Sequence, residues 1–227
     1  MQTRVEIADF ENWRAVAEDA AKVLKGGELV ALPTETVYGL GADAFNADAV
    51  AKVFEAKGRP SFDPLIVHIA GIRDLQRVAV VSGELEVVVR QLAKAFWPGP
   101  LTMVLPKHED VPDLVTSGLP TVAVRVSKHE VMRLLTKELG PIAAPSANRF
   151  GRISPTSASA VLAELEGRIP LIVDGGASSN GLESTIIAVE VGEKRPVLRL
   201  LRPGPVTREE LQKFGKVPRA GRVTDDR

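Results

Sequence analysis

Cysteine is absent from the 227 residues, which removes disulfides, thiolate catalysis and cysteine-built zinc sites and fits a reducing compartment. No stretch approaches the roughly 18 consecutive apolar residues that a membrane span needs. The opening MQTRVEIADFENW also lacks the apolar core of a secretory signal. A soluble, cytoplasmic protein without membrane association is expected. An excess of charge is missing too: 29 Lys and Arg balance 29 Asp and Glu, so a globally basic nucleic-acid binder is not indicated. Familiar signatures are equally scarce. There is no G-x-x-x-x-G-K-[ST], G-x-G-x-x-G, H-E-x-x-H, EF-hand loop or G-x-S-x-G. These absences argue against a P-loop, a dinucleotide fold, a protein-built metal cage and an α/β-hydrolase.

What is present is an alternation of helix and strand patterns. Trp13, Val16, Ala17, Ala20, Val23 and Leu24 recur at helical spacing before Gly26-Gly27. Asn46 is placed to cap a helix through Lys57, Ser82 a helix through Phe96, and Ser157 a helix carrying Val161 and Leu165. Val131, Leu134 and Leu135 suggest another helix, and Thr207-x-x-Glu210 is a capping box. Apolar runs at 28–33, 65–69, 101–105, 121–126, 141–145, 170–174, 184–191 and 197–201 read as strands, and TETVYGLGA reads as a loop. Strands separated by helices suggest parallel pairs, and the clustered late strands suggest antiparallel ones. The expected fold is therefore α/β, a single domain whose large twisted sheet mixes parallel and antiparallel pairs and is flanked by helices. The domain is expected to span residues 1–206. Residues 207–227 would add a short helix and a basic tail, and the chain beyond Phe214 has too little apolar content to pack. From Lys194 to Arg227 there are ten Lys or Arg against four Asp or Glu. Such a tail suits RNA contact through counterion release, or a solvated terminus.

Candidate chemistry sits in four polar, glycine-rich loops, because ligands of open α/β sheets gather at strand ends. The loops are Pro33–Gly41, Lys57–Pro64, Thr116–Arg125, and Pro145–Asn148 with Ser154–Thr156. Lys57 and Arg59, just past a helix, suit a polyphosphate, although cations there also complement the helix dipole. Arg125 lies within an apolar strand and needs either a carboxylate ligand or a structural ion pair. His68 interrupts LIVHI and is either a hydrogen-bonded core residue or a ligand. His108 and His129 look like surface residues, and Ser146 and Asn148 offer hydrogen bonds to phosphate or ribose.

In order along the chain, PTETVYGLGA, KGRPSFDPLIVHI, TVAVRV, APSAN, ESTII and LRPG closely resemble the YrdC family in its single-domain form, from about residue 15 to about residue 206. That family comprises the threonylcarbamoyl-AMP synthases of tRNA modification. The resemblance implies a nucleotidyltransferase that joins L-threonine, bicarbonate and ATP with release of pyrophosphate, magnesium riding on the triphosphate. A partner transferase protein would then modify adenosine beside the anticodon, with tRNA contact as a further implication. By motif, Lys57, Arg59, Ser146 and Asn148 form the family's K-x-R…S-x-N tetrad around the phosphates. Asp63, Thr121, Ala144, Ser154 and Arg202 complete the implied ATP site, and Thr36, His68, Arg125 and Ser184 the threonine pocket. Many members carry asparagine where this chain has Asp63, an acceptor that would repel phosphate unless it pairs with Lys57 or Arg59 or helps hold magnesium. Three alternatives are a non-catalytic RNA-binding module, an inactive paralogue, and the related domain of hydrogenase-maturation carbamoyltransferases. The tetrad speaks against the second, and the absence of cysteine against the third.

Overall fold

Ten strands form one sheet within residues 2–218, which the computed structural model describes. They are β1 (Arg4–Ile7), β2 (Val30–Leu32), β3 (Gly39–Asp43), β4 (Ile66–His68), β5 (Leu101–Pro106), β6 (Thr121–Arg125), β7 (Ile142–Ala143), β8 (Leu171–Asp174), β9 (Thr185–Glu190) and β10 (Val197–Arg202). Their spatial order is β1-β8-β2-β3-β7-β4-β6-β5-β9-β10. The pairs β1–β8, β2–β8, β4–β6 and β5–β9 are parallel and the remaining five are antiparallel. This is the mixed sheet that the sequence pattern predicts.

The helices are α1 (Trp13–Lys25), α2 (Ala47–Lys57), α3 (Gly83–Phe96), α4 (Asp113–Thr116), α5 (Glu130–Leu139), α6 (Ala158–Leu165) and α7 (Arg208–Leu211). Side-chain caps set the N-termini of three of them. The Asn46 side chain accepts from the Asp48 and Ala49 amides, and Ser157 accepts from Ala160. Thr207 and Glu210 complete their reciprocal box. Ser82 stands at the N-cap of α3 but makes no capping bond; Glu84 and Glu86 in the first turn complement the dipole instead.

Uneven helix coverage of the sheet makes room for a site. Helices α1 and α5 bury Val16, Ala20, Leu24, Met132 and Leu135 against Val30, Leu32, Ile142 and Leu171 on one face. On the other face α2, α3 and α6 pack Val53, Val89, Leu92 and Val161 into a core with Val67, Met103, Val124 and Ile187. The sheet is thus covered on both sides at its β8-β2-β3-β7 part. Farther along, Ile66, Val104, Ala123 and Ile186 are partly exposed and alternate with fully buried neighbours. That period-2 alternation marks an open face beside α1 and α5.

Three stretches differ from the sequence reading. Strand β1 pairs with β8, but its charged-apolar alternation lasts only four residues and Val5 and Ile7 stay exposed. Strand β3 lies inside the stretch read as a loop, because its glycines admit close neighbours. A Cβ on Gly41 would stand 2.9 Å from Leu32 Cδ1 and 3.2 Å from Ile142 Cγ2. Residues just past Phe214 do pack: the Lys216 amide bonds Pro196 O at 2.8 Å and Val217 is buried. Residues 219–227 of the expected basic tail lie outside the described residues.

Candidate active site

The open face of the sheet floors a cavity of about 270 Å³. Its wall on one side is the segment Thr34–Gly39, which follows β2, and on another the Pro145-Ser146 turn after β7. Backbone bonds stitch these two loops together: Leu40 N to Pro145 O at 2.7 Å, Ala147 N to Tyr38 O at 2.8 Å and Tyr38 N to Pro155 O at 2.8 Å. Tyr38, the sole tyrosine, is buried, and its hydroxyl donates to Gly176 O at 2.7 Å. Burial and the Asp174 carboxylate push that hydroxyl's pKa up, keeping it a donor.

At one end of the cavity stand Thr36, His68, Arg125 and Ser184. Parallel pairing of β4 with β6 sets His68 opposite Arg125. The Arg125 guanidinium is nearly enclosed and divides its N–H groups among three partners. Nε donates to Gly99 O at 3.2 Å and Nη1 to Thr36 Oγ1 at 2.7 Å, while Nη2 lies 2.7 Å from Glu35 Oε1 in an ion contact without hydrogen-bond alignment. Ser127 Oγ donates to the other Glu35 oxygen at 2.6 Å. Burial alone would raise the Glu35 pKa, but Arg125 and Ser127 outweigh it and hold the carboxyl at about 2. The structural ion pair anticipated for Arg125 is therefore present, and its side chain also faces the cavity. His68 is buried with Nδ1 unpartnered, so it is not the hydrogen-bonded core residue of the first alternative. Desolvation and the adjacent Arg125 charge push its pKa down to about 3, leaving a neutral imidazole.

Arg59, Asp63, Ser146, Ala144 and Arg202 line the remainder. Arg59 Nη2 meets Asp63 Oδ2 at 2.9 Å, and its Nε and Nη2 also donate to the carbonyls of Asp63 and Pro64. Arg202 pairs with Glu183 through Nη1, while Nε and Nη2 donate at 3.0 Å to the Ser184 carbonyl and hydroxyl. Ser184 Oγ lies 2.7 Å from Thr102 Oγ1. The Glu183-Ser184 segment is packed tightly against Gly204, where a Cβ would fall 2.5 Å from Thr185 N and 2.6 Å from Glu183 O. Gly204→Ala is therefore expected to destabilise the fold by about 2 kcal/mol, a drop of roughly 4–8 °C in Tm. A thermal melt checks this, and an unchanged midpoint contradicts the close approach.

Four expected site residues stand elsewhere. Lys57 does not line the cavity; it is buried at the end of α2, and Nζ donates to the carbonyls of Ser146 and Asn148. Burial and the Arg59 charge push its pKa down to about 7, against the pull of Glu183, Asp63 and Glu164. Asn148 turns inward too, donating from Nδ2 to the carbonyls of Arg149 and Arg152. Ser154 donates to Glu183 Oε1 at 2.7 Å, one step behind the wall. Thr121 shares the site face of β6, roughly 13 Å along the strand from Arg125. The early part of the Thr116–Arg125 loop likewise stays outside the lining, which takes Ala123 and Arg125 from that segment. His129, read as a surface residue, encloses Nδ1 in the protein, and burial lowers its pKa. Glu35 and Glu183 join the site without a signal of their own in the sequence beyond their places inside the PTETVYGLGA and ESTII motifs.

Comparison with known proteins places the sequence and the fold in a family. The Sua5/YciO/YrdC family model, described as telomere recombination, matches residues 22–204. The chain belongs to this family. It is 50% identical over 205 residues to a threonylcarbamoyl-AMP synthase of Pyrococcus abyssi, covering 90% of this chain and 58% of that protein. A Bacillus subtilis protein of the same name is 50% identical over 195 residues, covering 85% and 54%. This member of the Sua5/YciO/YrdC family thus spans little more than half the length of these curated relatives. Its fold superposes on P. abyssi Sua5 complexed with L-threonine at a TM-score of 0.83 and 47% identity, covering 96% of this chain and 63% of that one. Among the described residues no helix is long and apolar enough to cross a membrane.

Proposed function

We propose that the chain makes L-threonylcarbamoyl-AMP from L-threonine, bicarbonate and ATP. The observation that supports this most is one cavity with two chemistries: an arginine–threonine–histidine–serine cluster beside Arg59, Ser146 and Arg202. The relatives named for that reaction support the same reading.

In this reading Arg125 receives the threonine carboxylate, with Thr36 and Ser184 offering hydroxyls to the rest of the amino acid. Neutral His68 presents an imidazole lone pair to the amine without adding positive charge. The amine attacks bicarbonate carbon and a water leaves, giving a carbamate. A carbamate oxygen then attacks the α-phosphorus, and the bond from phosphorus to pyrophosphate breaks. No covalent protein intermediate is needed, so positioning and charge neutralisation carry the rate. Arg59 and Arg202 face the charge that develops on the phosphates, with Ser146 and Ala144 along their path. Thr121 on the same strand face and Ser154 behind Glu183 flank the nucleotide. Lys57 and Asn148 act by shaping the loop that carries Ser146.

Among the described residues no group of three or more His, Asp or Glu side chains is arranged to hold a metal. Magnesium is assigned to the triphosphate, as part of the substrate, where it would neutralise the charge of the phosphates. The product passes to transferase proteins that modify adenosine in cytoplasmic tRNA. Incubation with carbon-labelled bicarbonate, threonine and ATP tests the proposal. Label is expected in an adenylate with the mass of threonylcarbamoyl-AMP, and label absent from any nucleotide would reject it.

A further inference from the structure

Three arginines face the cavity, and each has its own carboxylate: Arg125 with Glu35, Arg59 with Asp63, and Arg202 with Glu183. We infer that these pairs differ in kind: Glu35 is a permanent brace, whereas Asp63 and Glu183 are exchangeable counter-ions that hold the place of substrate phosphates. The inference rests on the nucleotide reading above and deepens it.

Burial separates the pairs. The Arg125 and Glu35 side chains are 4% and 8% exposed, against 13% and 39% for Arg59 and Asp63 and 31% and 34% for Arg202 and Glu183. A carboxylate at Glu35 that left Arg125 would have little water to turn to. Asp63 and Glu183 stand at the cavity wall, where water can take over their solvation.

Neutral pins, which Arg125 also has in Gly99 O and Thr36 Oγ1, hold the two outer arginines as well. Arg59 stays tied to the carbonyls of Asp63 and Pro64, and Arg202 to the carbonyl and hydroxyl of Ser184, whatever the two carboxylates do. Each guanidinium therefore keeps its place when its counter-ion gives way, which pre-organises it for a second anion. Until then the carboxylates cancel the repulsion between clustered cations. Each also competes with phosphate for the same N–H groups, which weakens ground-state binding of ATP.

The amide variants Asp63→Asn and Glu183→Gln keep the shape and remove the charge. Titration calorimetry with magnesium-ATP is expected to show each binding about twofold to tenfold more tightly than the parent chain. The KM for ATP should fall in step while the KM for threonine stays put. Glu35→Gln is expected to give no such tightening. Loss of a structural contact alone would raise the KM, so the direction of change is diagnostic. If either amide variant melts well below the parent, Asp63→Ser or Glu183→Ala carries the same expected sign. ATP bound by the parent chain but no more tightly by the variants overturns the inference and leaves the nucleotide reading standing. A parent chain that binds no ATP overturns both.

Discussion

Lys57→Met is expected to lower adenylate formation by at least about 100-fold while changing the free energy of unfolding by less than about 2 kcal/mol. The two effects separate because opposing terms meet at one atom. Methionine fills a similar volume but leaves the Ser146 and Asn148 carbonyls without the N–H donors of the nitrogen they share. Unpaired buried carbonyls cost about 1–3 kcal/mol each. Against that, the variant no longer buries a charge, a penalty visible in the Lys57 pKa, which burial and Arg59 push from 10.5 down to about 7. The loop then relaxes, and a shift of about 1 Å in Ser146 suffices for a hundredfold loss. Amide exchange should quicken over 146–152. The pH dependence follows from linkage. Between about 7 and 10.5 the unfolded chain holds the Lys57 proton and the folded chain has released it, so stability of the parent chain rises with pH across that window. The methionine variant should lose this contribution. Turnover within tenfold of the parent chain, or lost turnover with unchanged exchange in the loop, would contradict a role through loop geometry.

Glu35→Gln is expected to destabilise the fold by about 3–5 kcal/mol, because it strands the enclosed Arg125 guanidinium without its counter-charge. Glutamine can still accept from Ser127, so charge rather than shape is removed. The parent chain also carries an acid signature. Its Glu35 carboxyl, held at about 2 against an ordinary 4.5, keeps its charge in the folded state after the unfolded chain has taken up a proton. The stabilisation is complete above 4.5 and is lost as pH falls toward 2. Its size is roughly 3 kcal/mol. Urea titrations between pH 2 and 6 should therefore show the difference between parent and variant shrinking with acid. A difference that stays constant would place the stabilising charge elsewhere.

Much of the fold was legible because helix ends are local chemistry. Asn46, Ser157 and the Thr207–Glu210 box act within four residues of themselves. Strands β1 and β3 were not legible. One is an edge held by pairing with a distant strand, and the other carries two glycines, Gly39 and Gly41, whose value lies in what approaches them. The site shows the same division. The motifs brought Thr36, Arg59, His68, Arg125, Ser146, Ser184 and Arg202 to one cavity. Yet Lys57 and Arg59, two residues apart, part company. Lys57 is the last residue on the buried side of α2, and Gly58, at a φ of 58°, turns the chain before Arg59. That left-handed turn favours glycine. The partnership of Glu35 with Arg125 spans 90 positions, from the loop after β2 to the end of β6, and no local pattern announces it. Glu183 shows its bond to Ser154 and its pairing with Arg202 only once β9, β10 and the loop after Asn148 are in place.

The central claim is that one cavity joins an amino acid to a nucleotide, and pyrophosphate release from ATP tests it most directly. The assay is run with threonine and bicarbonate each supplied or withheld, in the presence of magnesium. Release that requires both, and that falls when Arg125 or Arg59 is replaced by alanine, is the predicted result. Release indifferent to threonine and bicarbonate, or none while ATP binds, would contradict the account.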